Sequence, residues 1–157
     1  MAVTASALEI REVSVDDILS QGKDLFLQHW QEVGANRDAQ HLRLDELRYR
    51  ALDQQGALLI LGAYDGDVLI GYSIALMSGP HLHDAEMWPC VSDALYVADI
   101  YRGQGLGARL MRETERAAKV CGATLMAWHA MVGSDLDERL AQSVRYMPQD
   151  VTYTRKL

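Results

Sequence analysis

The sequence predicts an α/β fold built on a mixed, mainly antiparallel sheet, and three observations predict it. Apolar residues recur at alternate positions in some stretches and at roughly helical spacing in others, so strands and amphipathic helices are both present. The pair Asp65-Gly66 separates two strand-like runs, ALLILGAY and DVLIGYSIALM, and Asp-Gly tolerates the positive φ angles of a type I′ hairpin turn. Farther along, a strand, a helix and another strand follow one another in a βαβ unit. A length of 157 residues with 49% apolar content suffices for a core without disulfides or structural metal. No repeat, low-complexity tract or linker divides the chain, so residues 1–157 are read as one domain.

The elements follow in order. ALEIREV, residues 7–13, alternates as a first strand with Leu8 and Ile10 on one face. Residues 15–33 carry Ile18, Leu19, Leu25, Phe26 and Trp30 at helical spacing, with Gly34 as the stop and Gly22 as an internal break point. A second helix is expected from about Ala39 to Gln55, presenting Leu42, Leu44, Leu47 and Leu52. The hairpin comes next, and after a loop holding HLHDAEMWPC the run VSDALYVAD reads as a strand, with Asp93, Leu95 and Val97 on one side and Ala94, Tyr96 and Ala98 on the other. A helix from Gly105 to Cys121 is closed by Gly122. ATLMAWHAM is an apolar strand, buried on both faces. Ser134 and Asp137 open a short helix to about Val144, and VTYTRKL is a last strand. The order is βααββ, then βαβ, then αβ.

Composition bounds the function. Cys90 and Cys121 are solitary, which suggests neither a disulfide framework nor paired metal ligands and fits a reducing, cytoplasmic setting. No signal-like opening and no apolar run of membrane-spanning length occurs, so no membrane partner is expected. The net charge of -7 argues against nucleic acid and suits a cationic small substrate.

The chemistry concentrates in YVADIYRGQGLGA, residues 96–108. Gly103, Gly105 and Gly107 let the chain turn with its amides outward, and the following helix adds unpaired N–H groups and a positive dipole end. That combination suits a phosphate or pyrophosphate, with the Arg102 charge at its entrance. A Walker loop is excluded because Ala108-Arg109 replaces its Lys and Ser or Thr. A dinucleotide fingerprint is matched at Gly103, Gly105 and Ala108, but residues 123–128 offer no carboxylate for a ribose, which makes an NAD(P)-binding protein the less favoured reading.

The run Arg102-Gly103-Gln104-Gly105-Leu106-Gly107-Ala108, preceded by Leu95-Tyr96-Val97, resembles the acyl-CoA motif of the GCN5-related N-acetyltransferases, the GNAT superfamily. The resemblance extends to the order of elements over almost the whole chain. His29-Trp30, Gly71-Tyr72-Ser73 and His81-Leu82-His83 are more loosely similar to members found in phage genomes. The resemblance implies a GNAT-like domain, with helices on both faces of its sheet, that moves an acetyl group from acetyl-CoA to a primary amine. It implies that the backbone of Arg102, Gly103, Gln104, Gly105, Leu106, Gly107 and Ala108 holds the pyrophosphate. The Tyr96-Val97 strand end would hold the pantetheine arm, with the Val97 N–H at the thioester oxygen.

The attacking amine must first lose a proton, and Asp93 is the candidate base. Its other reading is a solvated strand-end carboxylate. His129 is the reserve base. Tyr146 is the candidate acid, because Leu140 or Ala141 stands where the superfamily often carries a tyrosine. That missing tyrosine supports the alternative of a non-catalytic acyl-CoA-binding or interaction domain. His81, His83 and Asp84 lack a remote third ligand, so no metal is expected. The acceptor is not legible, and a homodimer is compatible with the pattern.

Overall fold

The computed structural model describes residues 8–33 and 42–155. Five strands form one sheet in the order β1-β2-β3-β4-β5. They are β1 (Glu9–Glu12), β2 (Leu58–Asp65), β3 (Val68–Met77), β4 (Pro89–Val97) and β5 (Leu125–Ala127). The first three junctions are antiparallel and β4 runs parallel to β5, as a hairpin followed by a βαβ unit requires. Helices α1 (Val15–Gln21), α2 (Lys23–Val33) and α3 (Glu46–Gln54) belong to one face, and α4 (Leu106–Val120) to the other. A short α5 (Asp135–Ala141) follows β5.

The two faces have separate cores. Ile18, Leu19, Leu25 and Phe26 from α1 and α2 pack on Ile60, Tyr64, Tyr72, Ile74 and Tyr96. Leu106, Leu110 and Ala118 of α4 pack on Leu61, Ala63, Ile70, Ala75, Cys90 and Val97. Each fully buried aliphatic side chain of this kind contributes about 1.5–3 kcal/mol. A buried polar contact fixes the seating of α4. Thr114 Oγ1 lies 2.8 Å from Leu110 O and 2.9 Å from Ser73 Oγ. It therefore donates to the carbonyl and accepts from the serine.

Several expected elements are altered for local reasons. The chain breaks between α1 and α2 at Gly22, where a Cβ would come within 2.5 Å of Ile18 O. Leu42 and Leu44 precede α3 instead of lying in it, because the Asp45 side chain accepts from Arg48 N at 3.0 Å and caps the helix there. The expected start at Ala39 and stop at Gly34 fall outside the described residues.

The hairpin forms, but its two-residue loop is Gly66-Asp67, and only Gly66 takes a positive φ (60°). That is the II′ pattern, not I′. The strand expected over 123–131 is paired only at Leu125–Ala127 and is half-buried. Residues 151–155 form no strand, and 156–157 lie outside the description. α5 stops at Ala141, short of Val144.

Candidate active site and cofactor cleft

The gap beside β4 is the first feature of the site. β5 pairs with β4 only at Pro89, Cys90 and Val91, and the His129 N–H then donates to Ser92 Oγ at 2.7 Å. Past Ser92 no strand among the described residues covers that edge of β4. On the other edge Gly71 faces Val97, and Ala98 N–H donates to Ile70 O at 2.9 Å. Gly71 and Val97 are thus a non-hydrogen-bonded pair of the antiparallel ladder, so the Val97 N–H points away from β3 and into the gap.

The glycine loop stands at the end of this gap. A 3-10 turn over Asp99–Tyr101 leads into it, and Gly105 is the N-cap of α4 with φ 79°, while Gly103 has φ 77°. Both conformations are left-handed, which explains two of the glycines. Gly107 is different, being helical and without positive φ; its Cβ would lie 4.0 Å from Val97 Cγ2. The first backbone bond of α4 runs from Arg109 N–H to Gly105 O, so the amides of Leu106, Gly107 and Ala108 have no helical partner. No backbone acceptor is found among the described residues for those of Gly103, Gln104 or Gly105 either. Arg102 departs from expectation, since its N–H is bonded to Asp99 O at 3.0 Å. The outward amides therefore begin at Gly103.

A bulge moves Asp93. Cys90, Leu95 and Val97 all pack on the α4 face, whereas Ala94, Tyr96 and Ala98 pack on the α1–α3 face. Cys90 and Leu95 cannot share a face in an uninterrupted strand, where faces alternate. The register supplies the extra residue: Ile74 faces Ala94 and Ala75 faces Ser92, leaving Asp93 unpaired. The placement of Asp93 on the same side as Leu95 and Val97 is therefore corrected. Its negative charge acts on His29, Tyr49 and Tyr72, all of the α1–α3 face. Asp93 is exposed, and its carboxylate makes no hydrogen bond or ion pair among the described residues.

Around it lies a group that sequence reasoning left unassigned. His29 Nδ1 is 2.6 Å from Tyr72 Oη, and the His29 ring stacks on Tyr96 with centroids 4.8 Å apart. Burial lowers the His29 pKa; the Glu32 charge opposes this without reversing it, so the ring is neutral at pH 7. Burial pushes Tyr72 far above the ordinary tyrosine value, so its hydroxyl stays protonated. Tyr96 donates to Glu32 Oε1 at 2.6 Å and is pushed up to about 12, by burial first and by that carboxylate second. The Arg102 guanidinium donates through Nε to Val97 O (2.8 Å) and through Nη2 to Glu32 (2.8 and 3.0 Å). The helical spacing of His29 and Glu32 placed both on α2, but nothing in one sequence told which strand α2 would cover.

The other expected catalytic side chains lie elsewhere. His129 follows β5 as an exposed residue instead of standing inside a buried strand. Tyr146 donates to Glu115 Oε1 at 2.6 Å, beside the Trp128 Nε1–H that binds the same oxygen at 3.0 Å. Burial and then Glu115 raise Tyr146 to about 12. Glu115 is nine residues along α4 from Leu106, about 13 Å from the glycine loop. Among the described residues no three His, Cys, Asp or Glu side chains converge as metal ligands, His81, His83 and Asp84 included.

The Acetyltransferase (GNAT) family profile matches residues 23–141, a span holding the glycine loop, the bulged β4 and α2. The chain belongs to the GNAT acetyltransferase family. Solved GNAT-type folds agree. The aminoglycoside N-acetyltransferase AAC(6')-Iy in complex with CoA superposes with TM-score 0.75 at 19% identity, covering 99% of both chains. An aminoglycoside acetyltransferase from an uncultured soil metagenomic sample, in complex with sisomicin, gives 0.74 at 16%, covering 96% of each. A ribosomal-protein-alanine N-acetyltransferase from Brucella melitensis biovar Abortus 2308 gives 0.69 at 18%, covering 96% of this chain and 100% of that one. Against curated protein sequences the chain finds no significant match. The looser likeness to phage-type members is not confirmed by these relatives.

Proposed function

We propose that this GNAT protein transfers an acetyl group from acetyl-CoA to a primary amine by direct attack. The observation that carries the reading is the open edge of β4, where the Val97 N–H faces the gap next to the unpaired amides of residues 103–108. Those amides and the α4 dipole suit the cofactor pyrophosphate. The pantetheine arm fits the gap left by β5, with the thioester beside Val97.

The acceptor approaches from the α1–α3 face, where Asp93 is exposed and its charge reaches the half-buried Tyr49, while Tyr72 and Tyr96 are buried in the core beneath. Asp93, directly or through water, takes a proton from the ammonium. The freed lone pair attacks the thioester carbon, and the Val97 N–H stabilises the oxyanion. The nitrogen of the tetrahedral adduct gives its second proton to solvent as the carbon–sulfur bond breaks, and the CoA thiolate takes a proton from solvent, since Tyr146 is held by Glu115. That engagement of Tyr146 is the one observation favouring a domain that binds acyl-CoA without turnover. The acetyltransferases of similar fold named above include ones described as acting on aminoglycosides and on a ribosomal protein, so small polyamines and protein amines are both acceptor classes to test. We place the protein in the cytoplasm, with acetyl-CoA as its donor and no metal.

Two measurements test this reading. A ligand present at about 100 times its dissociation constant stabilises the native state by about 2.7 kcal/mol, so acetyl-CoA should raise the melting temperature by several degrees, and NAD much less. CoA release is then assayed with a panel of amines. An equal shift with NAD would overturn the acyl-CoA assignment, and acetyl-CoA binding without release on any amine would favour the binding domain.

A further inference from the structure

Arg102 is the charged residue of the glycine motif, and its side chain is turned to the strand instead of the loop. Among the described residues its guanidinium contacts Val97 O at 2.8 Å from Nε, both Glu32 oxygens at 2.8 and 3.0 Å from Nη2, and Asp99 Oδ1, in the turn after β4, at 3.6 Å from Nη1. The guanidinium carbon also sits 5.1 Å from the Tyr96 ring centroid. Glu32 is in turn fixed by the Tyr96 hydroxyl at 2.6 Å. The pair is about 40% exposed on each side, a setting in which ion pairs add little stability. Stability alone is a weak reason for so many aligned contacts.

The geometry of an extended residue supplies a better one. The N–H and C=O of one strand residue point to the same edge. Val97 therefore offers its carbonyl to the gap together with its amide, and a bare carbonyl beside that amide repels any anion forming there. β5 has already diverged and cannot cover it. The Arg102 Nε–H occupies it instead, and leaves a positive charge beside the Val97 peptide.

We propose that Glu32 and Arg102 form a positioning clamp that masks the Val97 carbonyl, so that the open edge of β4 presents only the Val97 N–H to the reacting acyl oxygen. This rests on the acetyltransferase reading above. Glu32 touches neither cofactor nor acceptor in this scheme; it acts by holding Arg102 over the peptide. The competing role is an arginine that swings to the cofactor phosphates, with Glu32 merely restraining it.

Glu32→Gln, Arg102→Lys and the double variant separate the two. Loss of a direct oxyanion donor costs about 100-fold to 1,000-fold, so a group acting through the donor's neighbour should cost less, about tenfold in kcat. The clamp predicts that loss in each single variant, no further loss in the double, and acetyl-CoA affinity within about threefold of wild type by calorimetry. Tighter acetyl-CoA binding by Glu32→Gln, multiplicative losses, or a kcat within twofold of wild type would overturn it. NMR of the free protein gives an activity-independent readout. The Val97 and Ala98 amide resonances should shift in Glu32→Gln, and unchanged resonances would sink the clamp even with turnover intact. Wild-type protein that binds no acetyl-CoA would instead overturn the acetyltransferase reading, leaving the clamp to be judged by those resonances.

Discussion

Asp93 and Val97 stand four residues apart on β4 and lie on opposite sides of the sheet, because the bulge at Asp93 adds one residue to the strand between them. The consequence is a division of labour across one strand. Val97 and the glycine loop, the groups proposed to hold the acyl donor, lie with α4, and the Asp93 carboxylate lies with the face formed by α1, α2 and α3. In the proposed mechanism an amine reaching Asp93 would meet the thioester through the gap that β5 leaves open.

That arrangement makes Asp93→Asn informative. The change keeps size and most hydrogen bonding while removing the proton acceptor. General-base catalysis contributes about 100-fold to 10,000-fold, so turnover should fall within that range. Acetyl-CoA affinity, set by amides on the other face, should stay near wild type. At high pH, where the amine is already deprotonated, the rate should recover. A pH-rate profile of both proteins with one accepted amine checks this; a variant within twofold of wild type across neutral pH would make Asp93 a solvated carboxylate.

Gly105→Val tests the loop. Gly105 has φ 79°, and nothing lies within 4 Å of a Cβ built there, so the substitution strains one residue without striking the fold. An L-residue in that conformation costs about 1–2 kcal/mol, and a β-branched one more. The N-cap turn should shift and the added methyls should project where the pyrophosphate is expected. Calorimetry should show acetyl-CoA affinity lowered at least about tenfold, with an unchanged far-ultraviolet dichroism spectrum. Wild-type affinity in the folded variant would remove the phosphate assignment.

These two residues also mark what the sequence discloses. The loop is legible because two of its glycines are required by backbone conformation, and the motif stands between a strand and a helix whose patterns are both clear. The face of Asp93 was not legible, since a bulge is invisible to an alternation argument: SDALYV reads as one smooth period, and only the pairing of Ile74 with Ala94 and Ala75 with Ser92 exposes the extra residue. His29 and Glu32 were hidden for another reason. Their roles depend on which strand α2 covers, a tertiary fact with no local signal. The C-terminal strand failed differently, because VTYTR has suitable propensity but pairs with no strand among the described residues, and propensity without a ladder does not make a strand.

Tyr146→Phe should leave catalysis alone. Its hydroxyl is committed to Glu115 on the second half of α4. Turnover should therefore remain within about twofold of wild type. Stability should fall, since a hydrogen bond to a charged acceptor contributes about 1.5–3 kcal/mol when well shielded and less at this half-buried site. A loss of about 1 kcal/mol corresponds to a melting-temperature drop of about 2–4 °C. Calorimetric scans and a turnover assay together check the pair of outcomes, and a large kcat loss would return Tyr146 to the chemistry as an acid.

His29 makes a prediction about pH and stability. Tyr72 stays protonated and has no other acceptor among the described residues, so its hydroxyl donates to His29 Nδ1 and the imidazole carries its own proton on Nε2. Protonating Nδ1 would break that bond in a half-buried site, consistent with a pKa below the usual histidine value, which burial lowers first. In the unfolded chain His29 binds a proton as the pH falls through about 6.5; in the folded protein it does so only at lower pH. Between those two values the unfolded state holds more protons, and stability falls as the pH falls. Above about 6.5 the contribution is complete. In His29→Gln the side-chain oxygen can still accept from Tyr72, but the titration is gone. The variant should be less stable than wild type at pH 7.5, where the ring stack on Tyr96 is lost. Its melting temperature should nonetheless decline less steeply between pH 7 and pH 5.5. His81, His83 and His129 are exposed and present in both proteins, so the difference between the two curves isolates His29. Parallel curves across that range would show that His29 titrates alike folded and unfolded, and would remove the neutral imidazole from the α1–α3 face.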